Sequence, residues 1–230
     1  MRRLTICLPY YLNAGMLERQ VANLESLPSQ LSDQVELIVV DDCSPVPAVL
    51  KTRIKSRLYR MKEDIPWNQD ACRNLAVSEA DEGWLLLTDM DHLPTERLIQ
   101  RALKAPLDPD TIYTFRRVTA PEMTAYKPHP NSWLITRATY MKTGGYDERF
   151  RGVYGTDGAF SRAVHKAGPV VQLKDALVRY PREVIPDAST TTLVRKSDEN
   201  EALRRKLREE IKASGDDAPK WGLTPWERVS

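Results

Sequence analysis

The chain has 230 residues, 29% of them charged and 41% hydrophobic, which suits one soluble domain with a real core and argues against wholesale disorder. Lysine and arginine outnumber aspartate and glutamate by only 34 to 32, marking neither a nucleic-acid binder nor a membrane-surface protein. No apolar run approaches the roughly 18–20 residues of a membrane span, the short apolar stretch after Met1-Arg2-Arg3 meets Pro9 rather than forming a signal peptide, and Cys7, Cys43 and Cys72 lack metal-ligand spacing, so a reduced, cytoplasmic protein without stable membrane insertion is expected.

Residues 4–8 read as a short buried strand closed by Pro9. After Asn13-Ala14-Gly15, the set Leu17, Val21 and Leu24 falls at helical spacing, with Glu18, Arg19 and Gln20 opposite. Residues 35–40 are almost purely apolar, as a parallel strand covered on both faces is. Asn68 stands where it could cap a helix over 69–80. Residues 85–87 form a third strand and 95–104 a helix behind it. This alternation predicts an α/β fold with a mostly parallel central sheet flanked by helices.

The second half is less regular. Strands are expected over 111–118 and 131–135, separated by a Pro-containing loop through His129. A short helix over 138–142 ends at Gly144-Gly145, and 156–167 repeats Phe160, Ala163, Val164 and Ala167 at helical spacing. From 195 to 213 charge dominates around one narrow stripe of Leu203, Leu207 and Ile211, which predicts a surface helix. The Pro- and Trp-bearing tail beyond it reads as an appendage. No internal repeat is present.

In an open parallel sheet, ligands bind beyond the carboxyl ends of the strands. Here those ends are Pro9-Tyr10-Tyr11, Asp41-Asp42-Cys43-Ser44 and Thr88-Asp89-Met90-Asp91-His92. Two of three deliver paired carboxylates to one rim, where they repel unless a cation or ligand donors neutralise them. Aspartate also favours turns after strands, so either pair alone has an ordinary explanation. Both together point to a hard cation, Mn²⁺ or Mg²⁺, bound through one or two carboxylates plus substrate phosphates.

Four segments in order carry a resemblance. Residues 4–11 followed by Val39-Val40-Asp41-Asp42-Cys43-Ser44 resemble the opening of family 2 glycosyltransferases. Trp67-Asn68-Gln69-Asp70-Ala71-Cys72-Arg73-Asn74 is similar to the family's helix ending in Ala-Arg-Asn, with Cys72 for the usual Ala. Thr88-Asp89-Met90-Asp91-His92 resembles its D-x-D metal motif. Gly144-Gly145-Tyr146-Asp147-Glu148-Arg149-Phe150, then Gly155-Thr156-Asp157, resembles the segment that carries the catalytic base.

The resemblance spans roughly residues 4–170. It implies a GT-A (Rossmann-like) fold over 1–190, with a nucleotide-binding half over 1–105, an acceptor-side half over 106–190, and 191–230 as a charged helical appendage. It further implies sugar transfer from a nucleotide donor, most often a UDP-sugar. By position, Tyr11 would abut the base, one of Asp41 and Asp42 would bind the uracil edge or ribose, and Arg73 would sit near the base or diphosphate. Asp89 would reach the ribose and the metal, Asp91 would be the direct metal ligand, and His92 is a further candidate ligand. Asp157 would be the general base. Trp133, Tyr154 and Thr156 lie in segments that line the acceptor side.

The chemistry follows from the charges. Cleavage of the anomeric bond develops negative charge on the diphosphate, which a divalent cation stabilises without a proton. The acceptor hydroxyl must lose its proton as it attacks, so a carboxylate on the opposite face serves as base, giving inversion. A helix start at Asp157 favours its ionised form. Ordinary readings stand beside these roles: packing or pairing for Tyr11 and Arg73, a helix cap for Asp157, a lone exposed histidine for His92, a helix-surface position for His165, and a solvated face for the cluster Arg204-Arg205-Lys206 with Arg208. Two departures alter the acceptor side: Thr156 stands where the family has Glu, and Ala159 replaces an acid.

A nucleotidyltransferase is the alternative enzyme, but it needs a Gly-rich loop after the first strand, and residues 9–16 hold one glycine. A catalytically weakened carbohydrate- or nucleic-acid-binding relative is the other. The acceptor is left open among a glycan, a lipid, a protein, a small molecule and hydroxymethylated DNA.

Overall fold

Strands and helices are numbered along the chain. In the computed structural model, which describes residues 3–190 and 197–230, the apolar runs become the centre of one sheet. β1 (Leu4–Tyr10) and β2 (Val35–Asp41) are buried along their whole length. They pair in parallel with each other, β1 also with β4 (Trp84–Leu87) and β2 with β3 (Lys55–Met61). Alternate side chains feed two cores, as the period of a strand requires. Leu4, Ile6 and Leu8 meet Met16, Leu17 and Leu24 of α1 (Ala14–Glu25) and Leu98, Ile99 and Leu103 of α4 (Glu96–Lys104). Cys7, Ile38 and Val40 face Ala71, Leu75 and Ala76 of α3 (Gln69–Glu79) on the other side. A four-residue turn of helix, α2 (Ser29–Ser32), leads into β2.

Helix ends follow local chemistry. The Thr95 hydroxyl accepts from the Leu98 N–H and starts α4 one residue later than expected. Asn68 occupies the cap position of α3 but makes no capping bond with its side chain; the expected cap is thus absent, and its N–H instead donates to Asp42 Oδ2.

Beyond β4 the sheet turns mixed. The strands are β5 (His92–Pro94), β6 (Ile112–Thr119), β7 (Thr124–Tyr126), β8 (Trp133–Thr136), β9 (Val170–Arg179) and β10 (Trp226–Arg228), and the order is β10-β3-β2-β1-β4-β8-β6-β9-β5, with β7 on β6. β8 runs antiparallel to β4 and β6, while β9 runs parallel to β6. α5 (Arg137–Thr143) ends in left-handed Gly144, and α6 (Asp157–Ala167) contributes Phe160 and Val164 to the α3-side core.

α7 (Asp198–Ser214) is a surface helix that buries only Asn200. Arg195 and Lys196, and the expected boundary at 191, lie outside the described residues. The tail beyond α7 is built into the fold. β10 pairs antiparallel with β3, and Trp221 packs on the α3-side core with Nε1 donating to Gly144 O at 2.7 Å. Among the described residues no helix is long and apolar enough to cross a membrane.

Candidate active site

The ends of β1, β2 and β4 meet at one rim, but their acids have different duties. Asp41 is consumed by the turn that follows it: its oxygens accept from the Ser44 N–H at 2.8 Å, the Ala48 N–H at 2.9 Å and the Arg60 guanidinium. It has no role left for a ligand, so the donor-binding expectation falls to Asp42. That residue is 5% exposed, takes the Asn68 N–H at 3.3 Å on Oδ2, and leaves Oδ1 with no hydrogen bond. Burial, with Asp64 and Asp41 nearby, pushes its pKa up to about 7. Tyr11 is half-buried beside it, its hydroxyl donating to Asp64 at 3.3 Å. The Thr190 hydroxyl, bonded to Tyr11 O, and Ser44 Oγ, bonded to the Leu12 N–H at 3.1 Å, fix that loop.

Arg73 is the hub. It is 1% exposed, bonds Asp89 Oδ1 and, at 3.1 Å, Gln69 Oε1, and lies 3.9 Å from Asp70 and 5.3 Å over the Tyr146 ring. Its charge also sits in the field of Asp157. Asp89 receives a second partner, His129 Nε2, at 3.2 Å. Burial alone would raise the Asp89 carboxyl, but His129 and Arg73 outweigh it and hold it well below the usual carboxylate range.

Asp91 is backed by His92, which is buried rather than exposed. Burial keeps that imidazole neutral by lowering its pKa against the pull of Asp91. Arg117 can only donate, so His92 Nε2 accepts from it at 3.1 Å and Nδ1–H donates to Asp91 Oδ1 at 2.6 Å. With both nitrogens engaged, His92 orients Asp91 and has none left to offer a metal. Asp91 Oδ2 lies 3.9 Å from Arg179 Nε, beyond hydrogen-bond reach.

His129, expected in a loop, is brought in by the stretch between β7 and β8. It stacks on His92 with ring centres 4.2 Å apart and binds Ser132 Oγ at 2.8 Å. No motif announces it. The signal available was that a chain with three histidines places one between two prolines, just before β8.

Asp157 opens α6, with Thr156 in the cap position, so it is not the cap. Its Oδ1 accepts from Asn131 Nδ2 at 2.6 Å. The acceptor-side expectations divide. Trp133 is 4% exposed and sits edge-on to Phe160 in the core, so it offers no surface for a sugar, and Thr156 is buried as well. Tyr154 is half-buried, edge-on to Trp67 at 4.7 Å, its main chain gripped at both ends by the Asn200 amide at 2.9 and 3.1 Å. His165 lies on the surface of α6 as expected.

Among the described residues no group of three or more His, Cys, Asp or Glu side chains could hold a metal ion by itself. A cation that completes its shell with phosphates would need only one carboxylate oxygen from the protein, and Asp91 Oδ2, 3.9 Å from Arg179 Nε, could supply it. Cavities of about 230 and 400 Å³ lie elsewhere, against the tail and α7.

The family model for Glycosyl transferase family 2 matches residues 5–167. A comparison with curated proteins finds no match. Among solved structures, S. aureus TarS 1–349 in complex with UDP-GlcNAc is similar with a TM-score of 0.69 at 14% identity, over 91% of this chain and 66% of that one. A second structure of S. aureus TarS 1–349 gives 0.64 at 13% identity, over 92% and 72%. At such identity the likeness shows the fold, which is the GT-A fold expected, and this chain spans about two thirds of the TarS chain. With the family match running from β1 to the end of α6, the chain belongs to glycosyl transferase family 2.

Proposed function

We propose that this protein transfers a sugar from a UDP-sugar to an acceptor hydroxyl by a single inverting displacement, assisted by Mn²⁺ or Mg²⁺. The observation that carries the reading is Arg73: one buried guanidinium is bonded to Asp89 on the β4 rim and lies in the fields of Asp70 and Asp157. Donor-side and base-side carboxylates therefore share one site. Likeness to a protein crystallised with UDP-GlcNAc supports the donor class.

Each residue has a defined task. The free oxygen of Asp42 accepts the imide N–H of uracil, and Tyr11 packs against the ring. Asp91 would hold the cation, which when bound offsets charge on the departing diphosphate. The acceptor oxygen attacks the anomeric carbon, the bond to the phosphate oxygen breaks with its electron pair, and the acceptor proton passes to Asp157. Three free cysteines, two of them buried, fit a reducing, cytoplasmic setting.

Asp157→Asn tests the assignment. General-base help contributes about 10²–10⁴-fold, so UDP release from UDP-GlcNAc should fall by that order while UDP affinity and Tm stay close to wild type. Near-normal turnover in this variant would defeat the base assignment.

A further inference from the structure

We infer that Asn131 is the positioning residue of this site: its side-chain amide fixes the Asp157 carboxylate in one orientation and leaves Oδ2 to receive the acceptor proton. The inference rests on the reading of Asp157 as base. Asn131 is 3% exposed and lies just ahead of β8. A carboxylate only accepts, so the amide must present nitrogen to it, and the 2.6 Å contact is Nδ2–H to Asp157 Oδ1. The other end of the amide faces a donor, the Tyr146 hydroxyl, at 3.5 Å. Both ends are thereby specified.

The anchor is independent of the turn that carries Asp157. The main chain of Tyr146 is gripped by Asn74 of α3, which accepts from its N–H at 3.0 Å and donates to its carbonyl at 2.8 Å. The Tyr146 ring stacks on Phe160 of α6 with centres 3.9 Å apart. Asn131 thus ties the carboxylate to α3 and to the body of α6 at once. Two residues earlier in the same stretch, His129 holds Asp89 at 3.2 Å. One short segment sets the distance between donor-side and base-side acids.

The choice of a neutral amide matters chemically. A lysine or arginine here would orient the carboxylate more strongly but would weaken it as a base, because a paired cation favours the ionised form. Asparagine orients without adding charge. The charged and titratable groups that act on the same spot come from α3 (Asp70, Arg73) and from Tyr146.

The experiment follows UDP release from UDP-GlcNAc with water as acceptor, alongside UDP affinity and Tm. Asn131→Ala should lower kcat about 10²-fold, the scale of a misplaced reacting group, with UDP affinity within twofold of wild type. Asn131→Asp keeps the shape but sets a second carboxylate against the first, and such a pair shares a proton. The acid limb of its kcat–pH profile should move up by one pH unit or more, with activity partly regained at high pH. A merely structural residue would move Tm and leave that limb in place. If Asn131→Ala does not fold, the near-isosteric Asp variant decides. An Asn131→Ala kcat within threefold of wild type, or an unmoved acid limb in Asn131→Asp, overturns the inference. Full turnover by Asp157→Asn would instead overturn the base assignment beneath it.

Discussion

Asp42→Asn should make the free protein more stable and the donor complex weaker. The Asp42 carboxyl is buried with one oxygen unpartnered, and its pKa rises from 3.8 to about 7. In this case the folded state binds the proton more tightly than the unfolded chain, so between about pH 4 and 7 the folded protein holds more protons and stability falls as pH rises. At about 1.4 kcal/mol per pH unit, the full cost above neutrality is of order 4 kcal/mol. Asparagine has no charge to bury and can still accept from the Asn68 N–H. Wild type and variant should therefore melt together near pH 4.5 and diverge by several degrees towards pH 8, at about 2–4 °C per kcal/mol for a chain of this size. UDP affinity should move the other way: a hydrogen bond to a charged group is worth about 1.5–3 kcal/mol, so the variant loses roughly tenfold or more at pH 8. Melting scans from pH 4.5 to 8.5 and UDP titrations check both arms, with GDP as the control ligand. A constant gap in Tm across that range, or GDP binding as tightly as UDP, refutes the reasoning.

Two further outcomes follow from the same geometry. Asp91→Asn should abolish the gain in UDP affinity that Mn²⁺ confers while leaving Tm within a few degrees; equal UDP binding with Mn²⁺ and with excess chelator in the wild-type protein would count against a cation at Asp91. Gly145→Ala should cost about 3 kcal/mol or more, a fall in Tm of roughly 6 °C or more, because a Cβ there would stand 2.2 Å from the Trp221 ring at a φ of +71°; a Tm within 2 °C of wild type would show that the tail gives way easily.

The parts legible in the sequence are those buried on both faces. β1, β2 and β4 declare themselves as nearly unbroken apolar runs because helices cover both sides, and the carboxyl ends of β2 and β4 carry the acids in plain order. β3 was missed because Lys55 and Arg57 make it look like a loop, although both serve Glu36, buried on β2, at 3.1 and 2.7 Å. β9 was missed because its first half is largely exposed and shows no clean alternation. The tail reads as an appendage until Trp221 and Trp226 are seen on α5 and β3, respectively. Trp133 illustrates the reverse error: an aromatic residue near a site is as readily core as ligand surface, and only its neighbour Phe160 decides.

What sequence spacing cannot reveal is which oxygen of an acid is already committed. Asp41 and Asp89 are adjacent in motif terms to Asp42 and Asp91, yet Asp41 is locked by two main-chain N–H groups and Arg60, and Asp89 by Arg73 and His129. Their partners turn acids that would repel into a rigid rim. Among the rim acids, Oδ1 of Asp42 and of Asp70 have no hydrogen bond, and Oδ2 of Asp91 and of Asp157 are the oxygens that His92 and Asn131 leave. Three of these match the three demands of the proposed reaction, an acceptor for the imide proton, an anchor for a cation and an acceptor for the departing proton. In each of those three acids the second oxygen is held by a neutral donor, the Asn68 N–H, the His92 ring or the Asn131 amide. Neutral donors fix direction without adding charge, whereas the guanidinium partners of Asp41 and Asp89, Arg60 and Arg73, hold the rim together.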